Sequence, residues 1–247
     1  MTGKKHCDRN LMWIYGKHAV KAVLKNPNRM ISRLVILESR KDSFDANGSP
    51  RPEVVDRNFF DGVFGKDATH QGCAVLVNRL PRLFLEDLIS DEADDRPLIM
   101  LDRVGDPQNV GSILRAAAVF GARAVVVAED NSPDLTPTVM KAASGAAESV
   151  PTVRVVNLVH AVNDLKKKGF WCVGLDEKAP LKICETSLSG KILLVIGGEG
   201  EGLRRLTRES CDFLVRLPYS GNFGTLNAAQ AATVSLYELM RQKEQNK

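Results

Sequence analysis

The chain has 247 residues, 44% of them hydrophobic and 26% charged, with a net charge of +4; this composition is typical of a folded globular protein and excludes a chain disordered throughout. Its length suits one large domain or two smaller ones. No segment approaches the roughly 18 to 20 consecutive apolar residues of a membrane span, and the first residues lack a signal-peptide core, so we expect a cytoplasmic protein without a membrane partner.

The N-terminal third predicts a small α/β unit. Apolar residues in KHAVKAVL recur at helical spacing until Asn26 and Pro27 end the segment, and a strand-like alternation with β-branched residues follows. In chain order, the patterns predict a helix at 16–24, a strand at 32–37, a mobile loop at 40–52, a helix at 53–60, a strand at 72–77 and a helix at 83–89.

The acidic, polar run SDEADDR predicts a break between two domains. We therefore divide the chain into a flexible tail at 1–10, a first domain at 11–88, a linker at 89–96 and a second domain at 97–247. We find no internal repeat or low-complexity tract.

After this break, apolar segments alternate with helical patterns. Strands are predicted at 98–101, 124–128, 153–155, 171–175, 193–196 and 213–216, and helices at 109–120, 137–143 and 158–168. Thr136 is a candidate N-cap, and Gly121 and Gly169 follow two of the helices. The alternation predicts an α/β fold with a mostly parallel sheet covered on both faces, in which ligands bind beyond the carboxyl ends of the strands.

Basic side chains are concentrated in the N-terminal third. Residues 1–33 contain eight Lys or Arg and one acidic residue, and residues 1–89 contain 15 basic and 10 acidic residues. The other 19 basic and 20 acidic residues leave the rest of the chain close to neutral. Such a surface attracts the phosphates of a nucleic acid, although a solvated surface with a mobile tail would have the same charge.

The cysteines and histidines show no pattern of a metal site or a disulfide framework. The five cysteines are Cys7, Cys73, Cys172, Cys184 and Cys211. They form no CxxC pair, and the four histidines form no HExxH motif. We predict buried, reduced cysteines and no metal.

The first of three blocks with candidate functional residues is LDRVGDPQNVGSILRAAAVFG at 101–121. A predicted strand ends at Asp102, and a helix begins near Asn109. Arg115 follows about 1.7 helical turns later and is long enough to reach back toward the start of the helix. Asn109 is equally a candidate N-cap, and the stem of Arg115 could simply cover the helix surface.

The second block, ILLVIGGEGEGLRRLT at 192–207, is an apolar strand that enters a glycine-rich turn. The turn lacks both GxGxxG and the GK[ST] of a phosphate-binding loop. Glu199 and Glu201 would repel a pyrophosphate but not a positively charged ligand such as a sulfonium with an amino group, which disfavours a nucleotide-dependent dehydrogenase. Either glutamate could instead cap the next helix, and Glu201 is the stronger candidate for a structural role.

The third block, VRLPYSGNFGTLNAAQAATVSLYELMRQ at 215–242, leads from a strand through a loop into a long helix. Thr225, Leu226 and Asn227 open that helix. Its small side chains permit close approach of another backbone, in the same subunit or in a second one. These side chains are Ala228, Ala229, Ala231 and Ala232. The pattern is compatible with a homodimer formed through the C-terminal domain.

The order NxGSxLR, GGEGEGL and LP…TLNA resembles the three motifs of the SpoU family, also called the TrmH family, of RNA 2′-O-ribose methyltransferases. The resemblance covers residues 11–245, and it implies a C-terminal α/β domain with a deep trefoil knot. The segments WIYGKHAVKAVL and HQG are similar to the family's small L30e-like RNA-binding domain. SGAAESVPTVRVVNL and GEGEGLRRLTRESCD are most similar to the subgroup that methylates a guanosine ribose of 23S ribosomal RNA.

The resemblance implies a catalytic pocket and a binding site for S-adenosylmethionine, the methyl donor. The implied catalytic residues are Asn109, Arg115, Glu199, Thr225 and Asn227, and the implied donor-binding residues are Gly197, Gly198, Leu217, Leu226 and Asn227. Where the family usually has Ser-Leu-Asn-Val-Ser, this chain has Thr225 and, four residues later, Ala229. Thr225 keeps a hydroxyl group, whereas Ala229 removes one.

In the implied reaction, a ribose oxygen attacks the methyl carbon of a donor that is already activated, so positioning supplies much of the acceleration and no metal is required. Arginine is a poor proton acceptor. We therefore expect Arg115 to bind the phosphate and to lower the pKa of the 2′-hydroxyl, with proton loss to phosphate or water.

Two alternatives remain open at this stage. A non-catalytic RNA-binding or ribosome-assembly factor could share the fold, and a methyltransferase of the same family could act on transfer RNA. The sequence does not identify the modified nucleotide.

Overall fold

The computed structural model describes residues 10–44, 50–91, 93–130, 132–221 and 226–245, and the chain forms two compact units, Met1–Pro81 and Arg82–Lys247. This division differs from the predicted one, which placed residues 82–88 in the first domain. The difference has a physical cause, because Leu85 and Leu88 are buried in the hydrophobic core of the second unit. Residues 1–9 of the predicted tail lie outside the described residues.

The first unit contains a four-stranded sheet. Its elements are strand β1 (Leu11–Tyr15), helix α1 (Lys17–Lys25), strand β2 (Ile31–Ile36), a 3₁₀ helix (Glu38–Ser43), strand β3 (Glu53–Val54), helix α2 (Arg57–Phe64) and strand β4 (Cys73–Asn78). The strand order is β1-β4-β2-β3, with β4 antiparallel to both neighbours and β3 parallel to β2. Both faces of the sheet are covered, since Leu34 and Val35, which point to opposite faces, are fully buried or nearly so.

Three predicted elements of this unit, the helix at 16–24 and the strands at 32–37 and 72–77, are confirmed with small shifts at their ends. The helix predicted at 53–60 is wrong in its first half. Glu53 and Val54 pair with β2, and the helix starts after Asp56, whose carboxylate accepts a hydrogen bond from the N–H of Phe59. The predicted loop at 40–52 begins inside the 3₁₀ helix, and residues 45–49 of it lie outside the described residues.

The second unit contains a seven-stranded sheet in the order β7-β6-β5-β10-β8-β11-β9, and every neighbouring pair is parallel. Its elements are helix α3 (Leu85–Ile89), β5 (Leu98–Asp102), α4 (Pro107–Val119), β6 (Ala124–Ala128), α5 (Pro137–Ala142), a 3₁₀ helix (Ala146–Glu148), β7 (Thr152–Val155), α6 (Leu158–Lys167), β8 (Trp171–Leu175), β9 (Leu181–Lys182), a 3₁₀ helix (Ile183–Glu185), β10 (Ile192–Gly197), α7 (Arg205–Ser210), β11 (Phe213–Arg216) and α8 (Ala228–Gln245). The predicted α/β fold with a mostly parallel sheet is confirmed.

The central strands β5 and β10 are buried at every position except Gly197, which is partly buried, as expected for parallel strands with helices on both faces. On one face, Met100 and Val195 pack with Leu158 and Leu165 of α6 and with Leu85 of α3. Side chains at the alternate positions point to the other face, where α4 and α8 pack against each other.

Side-chain caps set the starts of several helices in the second unit. Thr136 accepts a hydrogen bond from the N–H of Val139, which confirms it as the N-cap of α5. Helix α4 starts two residues earlier than predicted, because Asp106 is its N-cap and Pro107 occupies the first helical position. Asn109 is therefore not the N-cap and lies within the first turn of α4.

Cysteine burial agrees in part with the prediction. Cys73 and Cys172 are buried and Cys211 is partly buried, but Cys184 is exposed; Cys7 lies outside the described residues. These four described cysteines are free thiols, with 3.7 Å between the Sγ atoms of Cys172 and Cys211. In the described part of the chain, His, Cys, Asp and Glu side chains form no group of three or more that could hold a metal, and no helix there has the length and apolarity to cross a membrane.

The segment that was predicted as a linker is held against the second unit by Arg123 and Asp94. The buried Arg123 guanidinium donates to the carbonyl of Asp91 at 3.2 Å, and its Nε lies 3.1 Å from Asp94 Oδ2. Hydrogen bonds from the Arg96 side chain lower the pKa of Asp94 to about 2, with further contributions from the Arg96 N–H and the charge of Arg123.

The Asp94 carboxylate should make the stability of the protein sensitive to acid. Its pKa is lowered in the folded state, so its contribution is fully present above about pH 5 and is lost as pH falls through 3.8 toward 2. We expect Asp94→Asn to lower the urea midpoint at pH 7 and the difference from wild type to shrink between pH 4 and 2. Asp95→Asn is the control, because Asp95 pairs with the half-exposed Lys243 at the surface. An Asp94→Asn deficit that is constant across this pH range would contradict the assignment.

Candidate active site

The three sequence blocks meet at one edge of the second sheet. Strands β5, β10 and β11 run parallel within that sheet, so their carboxyl ends, Asp102, Gly197 and Arg216, lie on the same side. Gly197 stands directly opposite Asp102 in the pairing of β10 with β5. This is the side of a parallel α/β sheet on which ligands bind.

Asn109 and Glu199 join the first block to the second. Asn109 is buried in the first turn of α4, and its Nδ2 donates a hydrogen bond of 2.6 Å to Oε1 of the exposed Glu199. Because the acceptor is a carboxylate, this bond is stronger than one between neutral groups. The structure thus brings together two of the predicted site residues, which are 90 positions apart in the chain.

The glycine-rich turn after β10 is packed too tightly for side chains at its first two positions. A Cβ on Gly197 would lie 2.2 Å from the carbonyl carbon of Gly202, and a Cβ on Gly198 would lie 2.4 Å from the carbonyl oxygen of Arg103. The turn closes on itself through a hydrogen bond of 3.0 Å from the N–H of Gly202 to the carbonyl of Gly198. Backbone is therefore the surface that this turn offers to a ligand at Gly197 and Gly198.

Glu201 forms an ion pair and does not make the helix cap that the sequence left open for it. Its carboxylate pairs with Arg103 at 3.0 Å, and both side chains are at least half exposed. It does not cap α7, because the N-cap residue of that helix is Arg204, which makes no side-chain capping bond. Glu199 does not cap it either, since its carboxylate accepts from Asn109.

Arg115 lies on the exposed side of α4, two turns from the start of the helix. Among the described residues, its guanidinium has no hydrogen-bond or ion-pair partner. The structure shows no contact between Arg115 and the Asn109–Glu199 pair within those residues. As far as the described residues go, all its donors are therefore available for an external anion, which distinguishes it from the paired arginines of this unit.

In the third block, Leu217 follows β11 at the same sheet edge, and Leu226 is half-exposed. Asn227 precedes α8 and forms a reciprocal capping pair with Gln230: Asn227 Oδ1 accepts from the N–H of Gln230 at 2.8 Å, and Gln230 Oε1 accepts from the N–H of Asn227 at 3.3 Å. Among the residues that the structure describes, Asn227 Nδ2 has no hydrogen-bond partner. Thr225 lies outside the described residues.

The alanines of α8 explain how that helix packs. Ala228, Ala229 and Ala232 are buried, and α8 contacts α4 of the same chain. Close approach within one subunit is thus one use of the small residues, as the sequence allowed. Ala229 is buried, so the hydroxyl that the family usually has at this position would lie in a buried environment.

Sequence reasoning missed Asp102 and Arg204 as site residues. Asp102 is fully buried at the end of β5, and its two carboxylate oxygens accept from the N–H of Arg204 at 2.9 Å and from its Nε at 2.6 Å. The signal available in the sequence was a charged residue that directly follows four apolar strand residues, which indicates a buried carboxylate with a specific partner.

Solved structures similar to this chain include two methyltransferases. The SpoU methyltransferase AviRb from Streptomyces viridochromogenes, in complex with the cofactor AdoMet, superposes with a TM-score of 0.81 at 24% identity, over 98% of this chain and 94% of that one. An AdoMet-bound rRNA methyltransferase from Sinorhizobium meliloti gives a TM-score of 0.77 at 22% identity, over 97% and 90% of the two chains. At these identities the likeness establishes the fold class.

Sequence comparisons establish the family. The SpoU rRNA Methylase family matches residues 96–237, and the family of RNA 2′-O ribose methyltransferase substrate-binding domains matches residues 13–83. The chain is 38% identical to 23S rRNA (guanosine-2′-O-)-methyltransferase RlmB of Pseudomonas putida (94% of this chain, 96% of the relative) and 39% identical to that of Vibrio vulnificus (94% and 97%). The chain belongs to the SpoU rRNA methylase family, which confirms the predicted family and the predicted class of enzyme.

Proposed function

We propose that this protein transfers a methyl group from S-adenosylmethionine to the ribose 2′-hydroxyl of a guanosine in 23S ribosomal RNA. The observation that carries the proposal is the site geometry. Asn109 and Glu199 are hydrogen-bonded to each other at the ligand-binding edge of the sheet, and Arg115, on the same helix as Asn109, has no hydrogen-bond or ion-pair partner in the described part of the chain. The guanosine and the 23S RNA are proposed from the relatives' names, because the site does not distinguish one RNA from another.

The residues at the sheet edge fit the methyl donor, which supplies an activated methyl group on a sulfonium centre. The turn after β10 offers backbone at Gly197 and Gly198, where no side chain fits. Leu217 and Leu226 would provide apolar contacts beside it, and Asn227 would provide its side-chain amide as a donor. The carboxylate of Glu199 suits a ligand that carries positive charge and disfavours a pyrophosphate.

Arg115 would engage the RNA. Its fork of N–H donors can bind a phosphate and lie close to the adjacent ribose, where a fixed positive charge lowers the pKa of the 2′-hydroxyl. The guanidinium is no proton acceptor, so the proton leaves to a phosphate oxygen or to water. Asn109 and Glu199 would hold the surrounding pocket in shape, and Thr225 would supply a hydroxyl group.

The first unit would select the RNA as an L30e-like domain, and its cations converge on one turn. The N–H of Lys17 donates to Gln71 Oε1 at 2.8 Å, and Arg40 Nε donates to the Gln71 carbonyl at 3.0 Å. Burial raises the pKa of the neighbouring Cys73 thiol to about 11, and the charges of Arg40, Lys17 and Lys21 all act against that rise. Three cations thus lie around one turn, where they can bind phosphates.

Neutralising this cluster should weaken RNA binding in a salt-dependent way. We expect a variant with Lys17, Lys21 and Arg40 all changed to glutamine to bind a 23S fragment more weakly, with a log K against log salt slope smaller by about 2 to 3, since each lost phosphate contact removes about 0.7 to 0.9. Filter binding at several salt concentrations measures both. The control carries the same change at Arg51, Arg57 and Lys66, which are exposed elsewhere in the unit. Equal slopes for both variants would show that the cluster does not contact RNA.

The family resemblance also supports a trefoil knot in the second unit. The turn at 198–204 is bonded to the end of β5, and α8, later in the chain, packs on α4, the helix that follows β5. Stretching a single molecule by its ends tests the knot, because a tightened knot leaves the extended chain shorter than its residue count requires. A full-length extension would contradict it.

A homodimer through the C-terminal domain would cover an exposed apolar face. Val119 of α4 and Val234 and Tyr237 of α8 are 69%, 44% and 50% exposed, and the ring of Tyr237 contacts Phe120. Light scattering should give twice the 27.1 kDa mass of one chain. A monomer at micromolar concentration would contradict the dimer. We also propose a cytoplasmic location, which a role in ribosomal RNA modification supports.

Methyl transfer from labelled donor to 23S and transfer-RNA transcripts tests the proposed activity directly. We expect label in 23S RNA, at the 2′ position of a guanosine. Label in transfer RNA alone would favour the tRNA methyltransferase. RNA binding without transfer to either transcript would favour the non-catalytic factor.

A further inference from the structure

Asp102 holds both ends of the turn that carries Glu199. At one end, its carbonyl accepts the N–H of Gly198 at 2.8 Å as the ladder between β5 and β10 closes. At the other end, its carboxylate accepts the backbone N–H and the Nε of Arg204. Residues 198–204 therefore span two attachment points on one residue, and the conformation of the turn is fixed relative to the sheet edge.

The side-chain attachment is a strong one. The Asp102 side chain is completely buried, whereas that of Arg204 is 41% exposed. A buried carboxylate is costly unless it is paired and hydrogen-bonded, and removing one partner leaves the charge uncompensated. The N–H of Arg204 is also one of the donors at the start of α7 that has no partner inside the helix. The Asp102 carboxylate thus accepts a hydrogen bond from the N-terminal end of α7 and also pairs with the positive charge of Arg204.

Because the turn is fixed at both ends, it also sets the position of Glu199. Glu199 directly follows Gly198, whose N–H is the first attachment point, and the carboxylate of Glu199 accepts from Asn109 at 2.6 Å. Loss of the Arg204 attachment would free the C-terminal end of the turn, and the Asn109–Glu199 pair would lose its fixed geometry. A displacement of about 1 Å is enough to cost 100-fold in rate where catalysis depends on positioning.

We propose that Asp102 and Arg204 are positioning residues for methyl transfer, which act by holding the turn so that Glu199 meets Asn109. The proposal rests on the proposed function. It assigns to this buried ion pair a role in the rate of the reaction in addition to its role in stability.

The chain offers a matched control pair on the same helix. Arg208 Nε donates to Asp176 Oδ2 at 2.6 Å, the same length as the bond from Arg204 to Asp102, and Asp176 follows the end of β8. This second pair also ties α7 to a strand end, but it does not bound the turn with Glu199. Arg208→Met therefore removes a bond of the same kind and leaves the Asp102–Arg204 pair intact.

The test compares Arg204→Met with Arg208→Met in the full-length protein. We expect Arg204→Met to lower kcat about 10- to 100-fold with little change in KM for RNA, while Arg208→Met stays within about 3-fold of wild type. Urea unfolding checks that the two variants remain folded to a similar extent. Both variants keep the backbone N–H of residue 204. Should Arg204→Met unfold, Arg204→Lys, which also keeps the positive charge, is expected to fold and to show an intermediate kcat.

A double-mutant cycle with Glu199→Ala separates positioning from stability. If Arg204 acts through Glu199, Arg204→Met should cost much less in the Glu199→Ala background than in the wild type. Equal costs in both backgrounds, or an Arg204→Met kcat equal to that of Arg208→Met, would overturn the proposal while wild-type activity leaves the proposed function standing. A wild type that methylates no RNA would instead overturn the proposed function.

Discussion

Replacing Arg115 with methionine is expected to reduce methyl transfer by about 100- to 1,000-fold or more while the protein stays folded and binds S-adenosylmethionine as before. Such a loss is typical when a fixed electrostatic donor is removed from a reaction centre. We expect little effect on folding, because the side chain is exposed and, among the described residues, has no partner whose charge would be left uncompensated. Labelled methyl transfer measures the rate, and calorimetry measures donor binding.

The companion variants for Arg115 separate charge from shape. Arg115→Lys keeps the charge but loses the planar fork, so we expect it to recover only a small part of the lost rate. Arg208→Met serves as the control for loss of an arginine from a helix of the same unit. If Arg115→Met retained more than about a tenth of wild-type kcat, with RNA saturating, the catalytic role of Arg115 would be wrong.

The parallel sheet could be predicted from the sequence because its central strands are mostly apolar and the strands alternate with capped helices. Strand β10, with ILLVI, is an example, and Thr136 marks the start of α5. Short edge strands were missed. Strands β3 and β9 have two residues each, and they form through pairing with distant partners and not through a pattern of their own.

The correct start of α4 could have been predicted from local signals in the sequence. Asp106 followed by Pro107 is a helix start in its own right, and it moves Asn109 from the cap into the first turn. That position directs the Asn109 amide to Glu199. The role of Asn109 in the site therefore depends on two residues that carry no chemistry themselves.

Contacts between distant parts of the chain were beyond the sequence. Asp102 and Arg204 are 102 positions apart, and nothing near either residue identifies the other. Asn109 and Glu199 entered the candidate site by family resemblance, which supplies residue types and not the bond between them. The exposed position of Arg115 likewise follows from the packing of the other side of α4 against α5 and α8.

Gly197→Ala is expected to abolish donor binding and methyl transfer, with losses of at least about 100-fold, through one added methyl group. A Cβ at this position would lie 2.2 Å from the carbonyl carbon of Gly202 and 2.5 Å from the backbone N of Leu203. Both obstacles are backbone, so the turn itself must move away from β10. That shift breaks the approach of Gly198 to Gly202 and carries Glu199 away from its partner.

The matched control is Gly105→Ala, on the loop that follows β5, where a Cβ would meet nothing within 4 Å and the backbone is not in the left-handed region. This control should retain wild-type kcat and donor affinity. Gly197→Ala should also lower the free energy of unfolding by about 1 to 3 kcal/mol, as overpacking does, whereas Gly105→Ala should not. The opposite result would be a Gly197→Ala protein that binds S-adenosylmethionine as tightly as the control. That result would show that the turn can shift to accept the methyl group and that close backbone packing does not form the donor site.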